Sequence, residues 1–182
     1  MTLIKIVNGD LLDSKENLIL HQVNCTGKMN SGVAKAIRDK WEVVFEKYSS
    51  AISDFESRFV RGALIGKVQS VLVNKEPSQY VVNMFSQDSY GYDGQRYTDY
   101  EALYKCLEQV AKVARDNNFS VALPYKLGCD RGGANWNIVY TMIEEVFKNH
   151  TQPIVIYNLN GHFEHSFLVN PSTNPIKELV LN

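Results

Sequence analysis

Asn24-Cys25-Thr26-Gly27-Lys28-Met29-Asn30-Ser31-Gly32-Val33-Ala34 joins two segments of different hydrophobic period. Before it, Leu18 to Val23 is a short apolar run of strand type. After it, from Gly32 onward, Val33, Ala34, Ile37, Trp41, Val44, Phe45 and Tyr48 recur at helical spacing. The loop between is small and polar. Such residues let a ligand approach the backbone closely. The loop also runs into a helix N-terminus, where unpaired N–H groups and the helix dipole favour phosphate. Taken alone this is a weak signal, because many loops before helices contain Gly and Ser and bind nothing.

The arrangement returns later in the chain. Val121 to Leu123 is a short buried-type strand stopped by Pro124, followed by Leu127-Gly128-Cys129-Asp130-Arg131-Gly132-Gly133-Ala134. Asn135 then has the chemistry of an N-cap for a helix through Phe147. Two such loops on one cleft suit the two phosphates of a diphosphate. Neither matches G-x-x-x-x-G-K-[ST], and neither is a G-x-G-x-x-G after the first strand, so P-loop and Rossmann nucleotide sites are disfavoured.

The rest of the chain supplies the frame. Leu3 to Val7 is a β-branched run closed by Asn8-Gly9-Asp10. Lys67 to Val73 and Tyr80 to Met84 read as strands around an Asn74-Lys75-Glu76-Pro77 turn region. Phe85 to Tyr97 has no regular period and reads as a loop. Thr98-Asp99-Tyr100-Glu101 has the form of a capping box. It opens a helix with Leu103, Leu107, Val110 and Ala114 on one face, ending near Asn117-Asn118. Ile154 to Tyr157 is the last core strand. Alternating strands and helices predict an α/β domain, a largely parallel or mixed sheet between helix layers. In such sheets ligands bind beyond the carboxyl ends of the strands. The core is expected over residues 1–160, with a tail over 161–182.

Composition narrows the class. At 182 residues the chain suits one domain, and 45% hydrophobic with 21% charged residues is a globular mixture. A net charge of −1 lacks the basic surplus of a dedicated nucleic-acid binder. No stretch is long and apolar enough to span a bilayer. Met1 to Asp10 lacks the basic and apolar regions of a signal peptide. Cys25, Cys106 and Cys129 have no disulfide or metal spacing, so a reducing, cytoplasmic setting is expected.

Taken together, the motifs resemble those of the macrodomain family. Asn8-Gly9-Asp10-Leu11-Leu12 is similar to the family's opening after its first strand. His21-Gln22-Val23-Asn24 with Gly27 to Ala34 resembles its first phosphate loop, Ala122 to Cys129 through Trp136 its second, and Val155-Ile156-Tyr157-Asn158-Leu159 its last strand. The match covers about the first 160 residues in the right order, and the joint occurrence is far more specific than any one motif. Within the family the chain looks closest to small bacterial and phage proteins of the ADP-ribose 1''-phosphate processing type. It is also similar to terminal ADP-ribose glycohydrolases and the yeast ADP-ribose 1''-phosphatase.

The resemblance implies a three-layer α/β/α sandwich with a central mixed sheet, and a cleft for ADP-ribose. By position, Asp10 accepts from the adenine amino group, Leu11 adds a backbone contact, and Tyr157 and Asn158 lie near the base. Backbone N–H groups of Ser31, Gly32, Val33 and Ala34 clasp the diphosphate together with those of Gly128, Cys129, Asp130, Arg131, Gly132 and Gly133. Asn24 holds the distal ribose, with His21 and Gln87 at the same end. Terminal ADP-ribose glycohydrolases carry a lysine where this chain has Gln87 and an aspartate where it has Gly132, which disfavours a lysine adduct. Asp130 stands where glycine is usual, either as a displaced acid or base or as a cap of the turn.

Blander readings stand beside these. Asp10 closes a turn, and a lone strand histidine such as His21 is more often packed than catalytic. Cys129 lacks a His partner in sequence. His162-Phe163-Glu164-His165 has no zinc spacing. Of Tyr90, Tyr92, Tyr97 and Tyr100, some pack the loop and one or two reach the cleft. Lys35, Arg38 and Lys40 read as a solvated helix face. The expectation is a monomeric hydrolase acting at the distal ribose of ADP-ribose 1''-phosphate or of an ADP-ribosyl ester on protein or nucleic acid, with Asn24, His21, Gln87 and Asp130 as candidate catalytic residues. The alternative is a non-catalytic reader or sequestering module with the same cleft. No cofactor or metal is implied.

Overall fold

The computed structural model describes residues 4–58 and 63–161, with residues 55–58 described by their backbone alone. The expected residues from His162 onward, including the histidine pair, lie outside the described residues. Eleven elements follow in order: β1 (Ile4–Asn8), a 3-10 turn (Leu11–Asp13), β2 (Leu18–Asn24), α1 (Gly32–Lys40), α2 (Glu42–Arg58), β3 (Val68–Lys75), β4 (Ser78–Gln87), α3 (Tyr100–Asn117), β5 (Val121–Pro124), α4 (Trp136–Phe147) and β6 (Ile154–Asn158).

The strands form one mixed sheet in the order β1-β6-β5-β2-β4-β3. All neighbours are parallel except β3, which pairs antiparallel with β4. Both faces are covered, which is why the strands read as near-continuous apolar runs. On one face Ile37, Val44, Tyr48 and Ile52 from α1 and α2 pack on Ile19, Val23, Val81 and Phe85. On the other, Leu103, Leu107, Val110 and Ala114 of α3 and Val139, Ile143 and Phe147 of α4 pack on alternate strand residues, among them Leu20, Val82, Leu123 and Ile156. This is the α/β/α sandwich with a mixed sheet that the sequence predicts.

Four details differ from the sequence expectation. The helical run from Gly32 is two helices, broken at Trp41 (φ −132°, ψ 82°), whose N–H donates to the Ile37 carbonyl. Ile37 and Val44 stand two turns apart whether or not the axis bends, so periodicity is blind to the break. β3 runs on through Asn74 and Lys75, which narrows the turn to Glu76-Pro77. β4 extends through Phe85, Ser86 and Gln87. Ser86 and Gln87 are buried although polar, because side-chain partners satisfy them. Asp99, not Thr98, caps α3: its carboxylate accepts from the Ala102 N–H at 3.0 Å. Thr98 is released for a different contact, described below.

Removing that cap tests the assignment. Asp99→Ala should lower unfolding free energy by about 1 kcal/mol in urea titrations. A loss below a few tenths would return the cap to Thr98.

Candidate ligand-binding cleft

β2 and β5 are hydrogen-bonded neighbours only at Leu18↔Val121 and Ile19↔Ala122. Beyond those pairs β2 stays with β4 as far as Gln87, while β5 stays with β6 as far as Tyr157. The chain after β2 passes to α1 on one face of the sheet, and the chain after β5 to α4 on the other. The sheet therefore opens at its carboxyl edge, at a topological switch point. A cavity of about 1170 Å³ occupies the opening. Asp10, Leu11, Tyr157 and Asn158 line it near β1 and β6, and Gln87, Tyr90 and Tyr92 line it beside β4. From β1 to β4 is four strand steps, about 19 Å at the usual spacing. The cleft is thus long.

The first wall is the loop after β2, built around Asn24. Its Oδ1 accepts from Thr26 N–H (3.0 Å), Thr26 Oγ1 (2.8 Å), Lys28 N–H (3.3 Å) and the Tyr48 hydroxyl (2.8 Å). Its Nδ2 donates to the Lys28 carbonyl at 2.7 Å. The carboxamide thereby shapes the loop, with its oxygen fully taken and one Nδ2 proton left over. Burial holds the Tyr48 phenol above its ordinary pKa, so it remains a donor. Ser31, Gly32, Val33 and Ala34 line the cavity at the start of α1. Ser31 makes no side-chain cap, and a Cβ at Gly32 (φ +56°) would meet no atom within 4 Å. The first amides of α1 therefore open onto the cleft without a capping side chain.

The second wall is the loop after β5. Its Cys129, Gly133 and Ala134 N–H groups donate to the Lys126, Asp130 and Gly128 carbonyls. Those of Gly128, Asp130, Arg131 and Gly132 have no protein acceptor among the described residues. Gly128, Cys129, Asp130, Arg131 and Gly132 all line the cavity. Gly133 does not: it packs against Gln95 and Arg96. At Gly132 a Cβ would fall 2.3 Å from both the Gly128 carbonyl oxygen and Thr98 Oγ1. No side chain fits there without moving the loop.

The remaining candidates are placed as follows. Asp10 accepts from the Leu12 N–H at 2.9 Å and so closes its turn, yet it also faces the cleft. The Tyr157 hydroxyl donates to Glu16 at 2.9 Å, and its ring packs beside Gly9. His21 is buried, with Nε2 on Asn83 Oδ1 and Nδ1 without a partner. Burial lowers its pKa to about 4 despite that bond, so it is neutral at pH 7. Gln87 accepts from Gln22 and donates to the Ser89 carbonyl at 3.0 Å. Asp130 is exposed, and its carboxylate makes no hydrogen bond or ion pair among the described residues. Arg131 donates to the Tyr92 hydroxyl and stacks 4.3 Å from that ring. Of the loop tyrosines, Tyr90 and Tyr92 reach the cavity, Tyr97 bonds Asp93, and Tyr100 accepts from the Asn135 N–H. Lys35 and Arg38 pair with Asp39, while Lys40 donates to the Leu12 carbonyl. Among the described residues no group of three or more His, Cys, Asp or Glu is placed to hold a metal ion.

Sequence reasoning gives three residues that build the site no role of their own in it: Tyr48, Gln22 and Thr98. Tyr48 reads as one more apolar position of a helix. Gln22 and Thr98 meet across the fold, with Nε2 donating to Oγ1 at 2.9 Å.

A family model described as Macro domain matches residues 20–143. A solved protein of unknown function from Bacteroides thetaiotaomicron superposes with a TM-score of 0.75 at 27% identity, covering 87% of this chain and 99% of that one. The macrodomain of Mycobacterium tuberculosis DarG gives 0.71 at 22% identity over 86% and 98% of the two chains. Thermosipho africanus DarTG, solved in complex with ADP-ribose, gives 0.72 at 17% identity over 90% of this chain and 44% of that one. No curated protein sequence matches the chain.

Gly132→Ala should lower unfolding free energy by roughly 1–3 kcal/mol, the usual range for overpacking. Denaturant titration measures it, and a change under about 0.5 kcal/mol would mean that the loop yields freely. His21 generates a pH dependence. Its folded pKa lies below the ordinary 6.5, so the unfolded state takes up the proton first as pH falls. Its contribution is intact above pH 6.5 and is lost between 6.5 and about 4, on the order of 3 kcal/mol in full. His150, also held low chiefly by burial, adds to the same slope. His21→Gln should flatten the profile in that window, and an unchanged slope would assign the whole effect to other groups.

Proposed function

This chain belongs to the macro domain family, and on that premise we propose that it binds ADP-ribose in the cleft and hydrolyses a substituent on the distal ribose. One observation carries the reading. The unsatisfied amides of the second loop and the uncapped start of α1 face one long opening in the sheet. Together they suit a diphosphate, with a nucleoside on one side and a second sugar on the other. The Thermosipho africanus relative that holds ADP-ribose has the same fold, which supports the assignment.

In this reading the adenine lies toward β1 and β6. Asp10 keeps acceptor capacity beyond its bond to Leu12 for the exocyclic amine, and the Tyr157 ring borders the base. The diphosphate bridges the two amide arrays. The distal ribose extends toward Gln87 and Tyr90. For ADP-ribose 1''-phosphate, water attacks phosphorus, the phosphate ester P–O bond breaks, and ADP-ribose and inorganic phosphate leave. Asn24 keeps the first loop in shape for this. Among the described residues, Asp130 is the one carboxylate of the cavity lining outside the Asp10 end. Gly132 leaves no room for the aspartate of the glycohydrolases, and Gln87 replaces their lysine. Positioned water and preorganised amides, rather than a lysine adduct, fit these residues.

A second reading has its own observation. The carboxamide oxygens of Asn24 and Gln87 and one amide proton of each are taken up by protein partners, and His21 lies buried against Asn83. A non-catalytic reader needs no more than that.

Calorimetry with ADP-ribose, followed by incubation with ADP-ribose 1''-phosphate and mass spectrometry, separates the readings. The expected results are saturable binding and release of phosphate. Asn24→Ala should weaken binding at least tenfold, and Asp130→Ala should lower turnover with binding kept. Binding without turnover on the phosphate or on ADP-ribosyl esters identifies the reader. Absence of ADP-ribose binding by folded protein sinks both.

A further inference from the structure

Besides its three internal backbone bonds, the second loop is held by polar side chains from distant parts of the chain. Gln22, on β2, lines the cavity between the two walls. Its Nε2 donates to Gln87 Oε1 (2.5 Å) and to Thr98 Oγ1 (2.9 Å), and its Oε1 accepts from Ser86 Oγ at 3.0 Å. Thr98 in turn donates its hydroxyl to the Gly128 carbonyl at 2.8 Å. Its backbone N–H and that of Tyr97 both donate to the Gly132 carbonyl at 2.9 Å. Both ends of the loop's glycine turn are therefore bonded to the segment that carries Thr98. The packing is as close as the bonding. A Cβ at Gly128 would lie 2.7 Å from Gln22 Oε1, and one at Gly132 would lie 2.3 Å from Thr98 Oγ1 and 2.9 Å from Gln22 Nε2.

The direction of the bonds matters. A threonine hydroxyl has one proton. It can serve the Gly128 carbonyl only because Gln22 presents a donor, not an acceptor, to the same oxygen. Between these anchors lie the amides of Asp130, Arg131 and Gly132, and just before the first lies that of Gly128, all four without a protein acceptor among the described residues. We propose that Gln22 and Thr98 are positioning residues that set the orientation of the Gly128–Gly132 amides, and so the affinity of the cleft for the phosphate-bearing half of its ligand. This rests on the ADP-ribose reading for the ligand, but not for the loop.

The test uses Gln22→Glu, Thr98→Val and Thr98→Ser. Glutamate has the shape of Gln22 but cannot donate, so the Thr98 hydroxyl turns toward it and leaves Gly128. Valine removes the hydroxyl without adding charge, which controls for repulsion between a new carboxylate and phosphate. Serine restores the hydroxyl. Binding of ADP-ribose and of adenosine, which has no phosphate, is measured for each variant. Amide hydrogen exchange at Tyr97, Cys129, Gly133 and Ala134 is followed in the ligand-free proteins.

The expected result is a loss of at least tenfold for ADP-ribose in Gln22→Glu and Thr98→Val, with adenosine within about twofold of the parent protein. Exchange at the four amides should rise at least tenfold in both, and Thr98→Ser should keep both ADP-ribose affinity and exchange near the parent values. Equal losses for ADP-ribose and adenosine would overturn the proposal, because a merely structural role weakens both halves of the cleft. So would unchanged exchange with unchanged affinity. If Gln22→Glu does not fold, the Thr98 pair decides alone. If the parent protein binds no ADP-ribose, the functional reading fails on its own, and exchange in the ligand-free variants still decides whether Gln22 and Thr98 hold the loop.

Discussion

β2 and β5 share a ladder at Leu18↔Val121 and Ile19↔Ala122 and then part. A parallel sheet split in this way faces a simple constraint, since every backbone group beyond the split must find another partner or face solvent or ligand. On its other edge β2 keeps β4 as far as Gln87, and β5 keeps β6. Into the split open the two loops that leave the strands for opposite faces of the sheet. The cleft, its length and its supply of unsatisfied amides all follow from that parting.

The loops at the split lack a hydrophobic core of their own, and polar side chains take its place. Asn24 holds the first loop through bonds to Thr26 and Lys28 and is itself held by Tyr48 from α2. Gln22 and Thr98 hold the second loop from the β4 side. Each hub is buried or partly buried with its hydrogen-bonding groups engaged, the condition under which polar groups inside a protein rigidify rather than destabilise it. The result is backbone presented in a fixed orientation. A chain with net charge −1 can therefore receive an anion without a basic surplus, because amides and a helix terminus provide the positive end of the field.

The same economy limits the chemistry that the cleft's own side chains can perform. His21 is neutral and buried, and Gln87 is bound on both sides. Asp130 stands in solvent at the rim, and Arg131 leans on Tyr92. Precision of shape dominates the site, and general acid or base groups are sparse.

Local pattern was enough for the α/β class, the position of each core strand within a residue or a few, and both loops at the split. The reason is that strand period, helix period and Gly-rich loops are properties of adjacent residues. Asp10, Asn24 and the two amide arrays were legible because their positions follow strands directly. Tertiary structure alone decided the rest. It separated α1 from α2 at Trp41, moved the α3 cap from Thr98 to Asp99, and turned Gly133 away from the cleft. It also brought Gln22 to Thr98 and Asn24 to Tyr48. Those contacts join residues far apart in the chain, and hydrogen-bond partnership between side chains on different elements leaves no periodic trace in a single sequence.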